Sequence, residues 1–359
     1  MGLAWSYLTG VTLMLSIVLT WVLRRYALKQ GLIDNPNARS SHHMATPRGG
    51  GLAFVLIYLG LLLWSYIVEP EALRGLESFV MALLIGGGLV ALIGFIDDHQ
   101  DLSAALRFSV HLLAAIVALG LIGTPEVSLG PWLSVDGWWL ILLFVPSLVW
   151  LVNLYNFMDG IDAIASLQAI SVLCGASLIL WLNHSDLQMV LWLSLLGFGV
   201  AGFLVWNWPP AKIFMGDAAS GFLGFSLGVF ACFTPQHFAI DWWSWVILLG
   251  LFVADASWTL VRRMLKGEKW YQPHAKHAYQ ILARQRLAQY RADGVPAEAA
   301  RAKAHRWVVL AGLLINIGWL TPLAWLASVQ PGYAVWLALL AYLPLVYLEW
   351  LLGAGTDRC

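Results

Sequence analysis

Six aspartates in three short clusters carry most of the chemistry this sequence could perform: Asp97, Asp98 and Asp101, then Asp159 and Asp162, then Asp217. Each cluster lies at the end of a long apolar run, where an ionisable group is costly unless it is hydrated or paired. If the segment after the third run continues as a helix, Asp97 and Asp101 are four apart and Asp98 and Asp101 three apart, on neighbouring faces. Repulsion then favours a cation between them, and hard oxygen ligands suit Mg²⁺ or Mn²⁺. Solvated carboxylates capping a span would explain any one pair, but explain three clusters on one side less well.

The polar residues Asn153, Asn156, Asp159 and Asp162 recur every three positions and form a stripe at the end of a run of Leu, Val and Trp. A stripe facing lipid would be expensive, so it must face water, a ligand or another helix. Interhelical hydrogen bonding suits the asparagines better than the aspartates. Asp217 stands just before a helix start rich in small residues (Gly216, Ala219, Gly221), where Asp is a good N-cap and free N–H groups favour phosphate. His274 and His277, flanked by Lys276 and Tyr279, lack zinc-type partners apart from Glu268 and fit phosphate recognition or an ordinary loop. Arg39, Arg48 and the glycines Gly49, Gly50 and Gly51 could wrap a diphosphate or form a hinge. Asp255, inside a later span, either pairs with Arg262 or lines the polar site.

The elements that must position these residues are membrane helices. Of 359 residues, 60% are apolar and 11% charged, against about 25% charge in soluble domains. Runs long enough to cross a bilayer occupy 4–23, 50–68, 79–96, 106–122, 138–155, 161–182, 188–206, 219–234, 242–261, 307–328 and 332–352, which predicts an all-α polytopic membrane protein of about eleven helices. The first run has no basic flank before it and no small-residue cleavage site after it, so it is expected to remain as a span. With the N-terminus outside, nineteen of the 20 Lys and Arg residues fall on the inner side and only Arg74 outside, which places the aspartates on the cytoplasmic face. Net charge is zero and gives no reason to expect nucleic acid. The three cysteines imply neither a disulfide framework nor a metal site. With no repeat in view, residues 1–359 form one membrane domain, within which 262–306 is a long basic cytoplasmic loop. That loop should hold two helices, roughly Ala275–Arg291 and Pro296–Arg306, the later part suited to lying against anionic lipid.

In chain order, Asp-x-Pro-x-x-Arg-Ser-Ser-His from Asp34, Pro-Arg-Gly-Gly-Gly from Pro47, Asp97-Asp98, Asn-x-x-Asn-x-x-Asp-Gly-Ile-Asp from Asn153, Phe-Met-Gly-Asp from Phe214 and His-x-x-His-x-Tyr-Gln from His274 together resemble the polyprenyl-phosphate N-acetylaminosugar-1-phosphate transferases of glycosyltransferase family 4. The resemblance implies Asp97, Asp98, Asp159 and Asp162 as catalytic residues, Asp217 as a Mg²⁺ ligand, and Asn153, Asn156, His274 and His277 as substrate contacts; on charge, Asp98 is expected to help hold the Mg²⁺ and Arg39 and Arg48 to contact the substrate diphosphate. The sequence departs from the family at Ala163 and Ala219, where glycine is usual, and at Lys276. The histidine motif looks more like the O-antigen-initiating branch than the peptidoglycan branch. The implied donor is therefore a UDP-N-acetylaminosugar, UDP-GlcNAc or a 6-deoxy UDP-N-acetylhexosamine, and the implied acceptor undecaprenyl phosphate in the bacterial inner membrane. A transporter for an anionic or lipid-linked substrate is the competing function, but transporters bind near the midplane of repeated halves, whereas these carboxylates gather at helix ends.

The orientation has a direct consequence. Gly130→Cys and Gln236→Cys should react with a membrane-impermeant thiol reagent added outside, and Gln100→Cys and Gln280→Cys should not; the reverse pattern would place the aspartates on the wrong side.

Overall fold

The computed structural model describes residues 2–34, 45–100, 102–268 and 274–356; the expectations for Arg39 and Asp101 lie outside the described residues. Helix α1 (Gly2–Gln30) leads to a short antiparallel ladder of β1 (Ile33–Asp34) and β2 (Thr46–Pro47), then α2 (Leu52–Val68). A span from Glu77 to His99 follows, made of α3 (Glu77–Ala82), a π-helical stretch and α4 (Gly88–His99). Next come α5 (Ala104–Ile122), a second ladder of β3 (Val127–Gly130) and β4 (Leu133–Val135), α6 (Ile141–Met158), α7 (Ile164–Leu182), α8 (Leu187–Asn207) and α9 (Asp217–His237). The chain ends with α10 (Trp242–Leu248), α11 (Gly250–Leu265), α12 (Ala278–Ala292), α13 (Ala297–Ile315), α14 (Thr321–Val329) and α15 (Ala334–Leu352).

Nine helical segments among the described residues are long and apolar enough to cross a membrane, and α10 with α11, bent by 72°, makes a tenth. The eleventh expected span is α2, apolar but only 17 residues long. Among the described residues, the two small ladders are the β structure in an otherwise helical chain.

Helix α9 lies at the centre. Every side chain from Ala218 to Thr234 is buried, which its small residues permit. A Cβ at Gly224 would sit 2.4 Å from the Leu151 carbonyl and one at Gly228 2.1 Å from Leu148 Cδ1, so α6 packs directly on this backbone. On the other side, a Cβ at Gly94 would lie 2.6 Å from Ala218 N, so α4 meets the first turn of α9. Small residues replace bulk wherever membrane helices must approach closely, because lipid supplies no hydrophobic drive to hold them together.

The 262–306 stretch differs from its sequence reading in two respects. Helix α12 begins at Ala278 because His277 is its N-cap, and α13 begins at Ala297 but runs past Arg306 to Ile315 without a break. Its amino-terminal end docks on the protein: Arg306 donates through Nε, at 3.0 Å, and Nη2 to the Pro209 carbonyl, and Ala300, Ala304 and His305 are buried. Packing, not lipid, covers this face.

Between α6 and α7 the chain turns through Asp159–Ala163, and Ala163 takes the left-handed conformation at φ 67°. Its N–H donates to Asn207 Oδ1 (2.9 Å), while Asn207 Nδ2 donates to the Ile213 carbonyl (3.0 Å). That conformation crowds a Cβ but not a glycine, which gives a physical reason for the family's glycine at this position. Ala163→Gly should therefore stabilise the protein by about 1 kcal/mol, read as a higher thermal unfolding midpoint in detergent. An unchanged or lower midpoint would show that the turn is not strained.

Candidate active site

Two helix termini, a ladder and a turn converge at one end of the bundle: the carboxyl end of α4, the amino end of α9, the β1–β2 ladder and the Asp159–Ala163 turn. They enclose a cavity of about 220 Å³ lined by Asp34, Arg48, Asp98, Asn156, Asp159 and Asp162, by the Phe214–Asp217 segment, and by Asn207, Gln280 and His305. The sequence motifs separated along the chain are thus neighbours in space.

Asp97 and Asp98 part company. Being adjacent on a helix they point about 100° apart. Asp98, 5% exposed, accepts the N–H groups of Asp217 (3.1 Å) and Ala218 (3.4 Å), with Arg48 Nε 3.8 Å away. It therefore caps α9 from another helix, and Gly216, at φ 86°, leaves room for it because a Cβ there would lie 2.8 Å from Asp98 Oδ2. Asp97 turns from the cavity to Arg107 and the Leu102 N–H (2.9 Å). Helix α4 ends at His99 and Gln100 is extended. The Arg107 guanidinium pairs with Asp97.

Asp217 is the open carboxylate. Its Oδ1 accepts from Asn156 Nδ2 (2.8 Å), its Oδ2 lies 3.9 Å from Arg107 Nη1, and its side chain is 36% exposed. Asp162 Oδ2 accepts the Ala211 N–H (3.1 Å) and lies 3.2 Å from His305 Nδ1. Burial, then repulsion from Asp217, Asp162 and Asp98, pushes the Asp159 carboxyl well above the usual carboxylate range. No preformed group of three or more metal-binding side chains exists among the described residues. The fit to a divalent cation rests on donor type: Asp217 and Asp98 offer hard oxygens on an open cavity, and Mg²⁺ is commonly held by one or two carboxylates plus water and substrate phosphates.

Three expected substrate contacts stand elsewhere. Asn153 donates to the Val149 carbonyl of its own helix (2.8 Å) and does not line the cavity. Neither do His274 and His277. His277 is 3% exposed, with Nδ1 3.1 Å from Asp255 Oδ1. The same carboxylate accepts from Ala278 N (3.0 Å), Tyr279 N (3.1 Å) and Thr259 Oγ1 (3.2 Å). A charge buried in a span needs such partners, so Asp255 pairs with His277, not with Arg262 or the polar site. Burial, then His277, Arg263 and Lys276, push the His274 imidazole down to about 3, leaving it uncharged near neutral pH. Lys276 instead binds Glu268 Oε1 (2.9 Å).

The motif reaches the cavity one turn later. Tyr279 Oη donates to the Phe157 carbonyl (3.1 Å), Gln280 lines the wall, and Gly160 makes space, since a Cβ there would lie 2.2 Å from Tyr279 Oη. His305 and Asn207 were not singled out by sequence reasoning. His305 sits among Ala, Lys and Arg in a stretch resembling a lipid-facing helix, so only its own residue type could have marked it.

Replacing Asp255 by Asn removes the charge from four converging donors. Asp255→Asn should speed hydrogen exchange at the Ala278 and Tyr279 amides at least about tenfold, the effect of losing roughly 1.5 kcal/mol of local protection; unchanged exchange would show that Asp255 does not hold this helix start.

The comparisons agree with the geometry. The sequence pattern of glycosyl transferase family 4 matches residues 80–234, which contain Asp97, Asp98, Asn156, Asp159, Asp162 and Asp217. The probable undecaprenyl-phosphate N-acetylglucosaminyl 1-phosphate transferase of Bacillus subtilis (strain 168) is 29% identical over 283 residues, covering 76% of this chain and 75% of the relative. The undecaprenyl-phosphate alpha-N-acetylglucosaminyl 1-phosphate transferase of Yersinia pestis is 26% identical, covering 75% and 74%. The protein of that name from Thermotoga maritima is 29% identical over 271 residues, covering 75% and 79%. With these motifs in order along a polytopic helical chain and five aspartates gathered around one cavity, residues 80–234 of this protein match glycosyl transferase family 4.

Proposed function

We propose that this protein transfers N-acetylglucosamine 1-phosphate from UDP-GlcNAc to undecaprenyl phosphate, releasing UMP, at the cytoplasmic face of a bacterial inner membrane. The observation that carries the reading is the meeting of Asp98, Asn156, Asp159, Asp162, Asp217 and Arg48 on one cavity at a helix end. The relatives' names support the substrates, and the one-sided distribution of Lys and Arg supports the orientation.

The chemistry is a displacement at phosphorus. An oxygen of the lipid phosphate attacks the sugar-bearing phosphorus of the donor, the bond to the UMP oxygen breaks, and UMP departs with that electron pair. Both reactants are anionic, the lipid phosphate carrying about −1.5 to −2 near neutral pH, so bringing them together requires charge neutralisation. Mg²⁺ held by Asp217 and Asp98, when bound, supplies that neutralisation and polarises the phosphoryl group.

The protein's own groups do the positioning. Asp98, locked by two α9 amides and faced by Arg48, is the member of its pair on the cavity and is assigned with Asp217 to the cation. Asp97 acts through Arg107, which it holds beside Asp217. Asn156 orients Asp217. Asp159 in its protonated form can donate to a phosphoryl oxygen that an ionised carboxylate would repel. Asp162 fixes the turn through Ala211. The His274–His277 segment is assigned a supporting role, presenting Tyr279 and Gln280 to the turn.

Purified protein given undecaprenyl phosphate, Mg²⁺ and a panel of UDP-sugars that includes UDP-GlcNAc and a 6-deoxy UDP-N-acetylhexosamine should release UMP, fastest with UDP-GlcNAc. Asp217→Asn should abolish the Mg²⁺-dependent rate in a protein that still inserts, because an amide is a weak ligand for a hard cation. Asp98→Asn and Asp159→Asn should each lower kcat by at least about a hundredfold. Stoichiometric UMP release without lipid acceptor would instead indicate an aspartyl-phosphate route, and near-wild-type turnover by Asp217→Asn would remove its assigned role.

A further inference from the structure

The cavity is rich in carboxyl groups for a site that must take a diphosphate. Among the described residues five aspartates line it, Asp34, Asp98, Asp159, Asp162 and Asp217, against one guanidinium, Arg48, which already faces Asp98 and its carbonyl. The other basic side chain among these lining residues is His305.

The setting of His305 is built, not incidental. The residue is 3% exposed, and Arg306 next to it ties this part of α13 to the Pro209 carbonyl. Two residues on, Ala211 N holds Asp162 Oδ2, the same oxygen that lies 3.2 Å from His305 Nδ1. The contact lacks hydrogen-bond geometry, and Nδ1 is buried without a hydrogen-bond partner among the described residues. One helical turn earlier on the same face, Arg301 Nε is also buried without such a partner. His305 itself lines the cavity wall, where a ring N–H not turned to Asp162 has a ligand or water as its natural complement.

Building on the donor-binding reading above, we infer that His305 is a substrate contact from α13, donating to the phosphate-bearing part of the nucleoside diphosphate sugar, with Asp162 behind it. With Nδ1 directed to Asp162, Nε2 is the nitrogen left for the ligand. Once the diphosphate arrives, the ring stands between it and the Asp162 carboxylate, and the Nε2–H donates to a phosphate oxygen. Helix α13 thereby joins a site otherwise built from α4, α9 and two turns.

The test measures equilibrium binding of UDP to detergent-solubilised full-length protein without lipid acceptor, with uridine as a competitor lacking phosphate. His305→Gln should raise the Kd for UDP about tenfold, the loss of one charge-assisted hydrogen bond, and leave uridine competition unchanged. His305→Asn serves as the second variant should the first unfold, judged by its unfolding midpoint. Equal weakening of UDP and uridine would reduce His305 to a structural residue and overturn the inference. Unchanged UDP binding would overturn it as well, while UMP release by the wild-type protein would keep the proposed reaction standing. If the wild-type protein bound no UDP, the donor assignment itself would fall, and the role of His305 with it.

Discussion

Carboxylates at the end of an apolar bundle need donors or cations before they are tolerated, and the architecture around this cavity follows from meeting that need separately for each one. Asp98 is met by the amino-terminal amides of α9, Asp97 by Arg107, Asp217 by Asn156, Asp162 by the Ala211 amide and Asp255 by the start of α12. All but the Asp97–Arg107 pair join residues more than 20 positions apart in the chain. Polar satisfaction, in a setting where lipid cannot supply it, is therefore also what sets the arrangement of the helices. Asp217 is left half open, and Asp159 is raised by burial and by its acidic neighbours. These are the two whose charge a cation or a phosphate would have to settle.

Close approach makes these pairings reachable. Asp98 can touch the α9 amides only because Gly94 lets α4 come within contact of Ala218 and Gly216 carries no side chain between them. The turn after α6 works the same way, with Gly160 admitting Tyr279 and with Ala163 accepting a left-handed backbone so that its amide meets Asn207. Small residues near the site are spacing elements, and the carboxylates are their reason.

Much of this was legible in the sequence, because apolar length and polar clustering are local properties. The helices fall close to the apolar runs, and Asp98, Asn156, Asp159, Asp162 and Asp217 do share one cavity. Illegible features depended on direction or distant partners. A three-residue period suggested one stripe from Asn153 to Asp162, yet α6 stops at Met158, so Asn153 turns to its own helix while the aspartates sit on a turn. Adjacent aspartates suggested one pair, yet neighbours on a helix face different ways. His274 and His277 showed a spacing that suits phosphate, and nothing local revealed that the partner of His277 is a carboxylate inside α11.

The basic segment between α11 and α14 shows how charge composition can mislead. A helix rich in Lys, Arg and Ala suits an anionic membrane surface, and exposed Lys303 is consistent with that environment. The opposite face decides its placement: Ala300, Ala304 and His305 are buried, and Arg306 spends its guanidinium on a backbone carbonyl of the turn that also holds Asp162. A helix meant only for lipid would have no use for a buried imidazole, whereas one that closes an acidic cavity needs a donor on its inner face and small residues around it to come near. The small Ala residues that made the segment look unspecialised are what allow it to pack against the site.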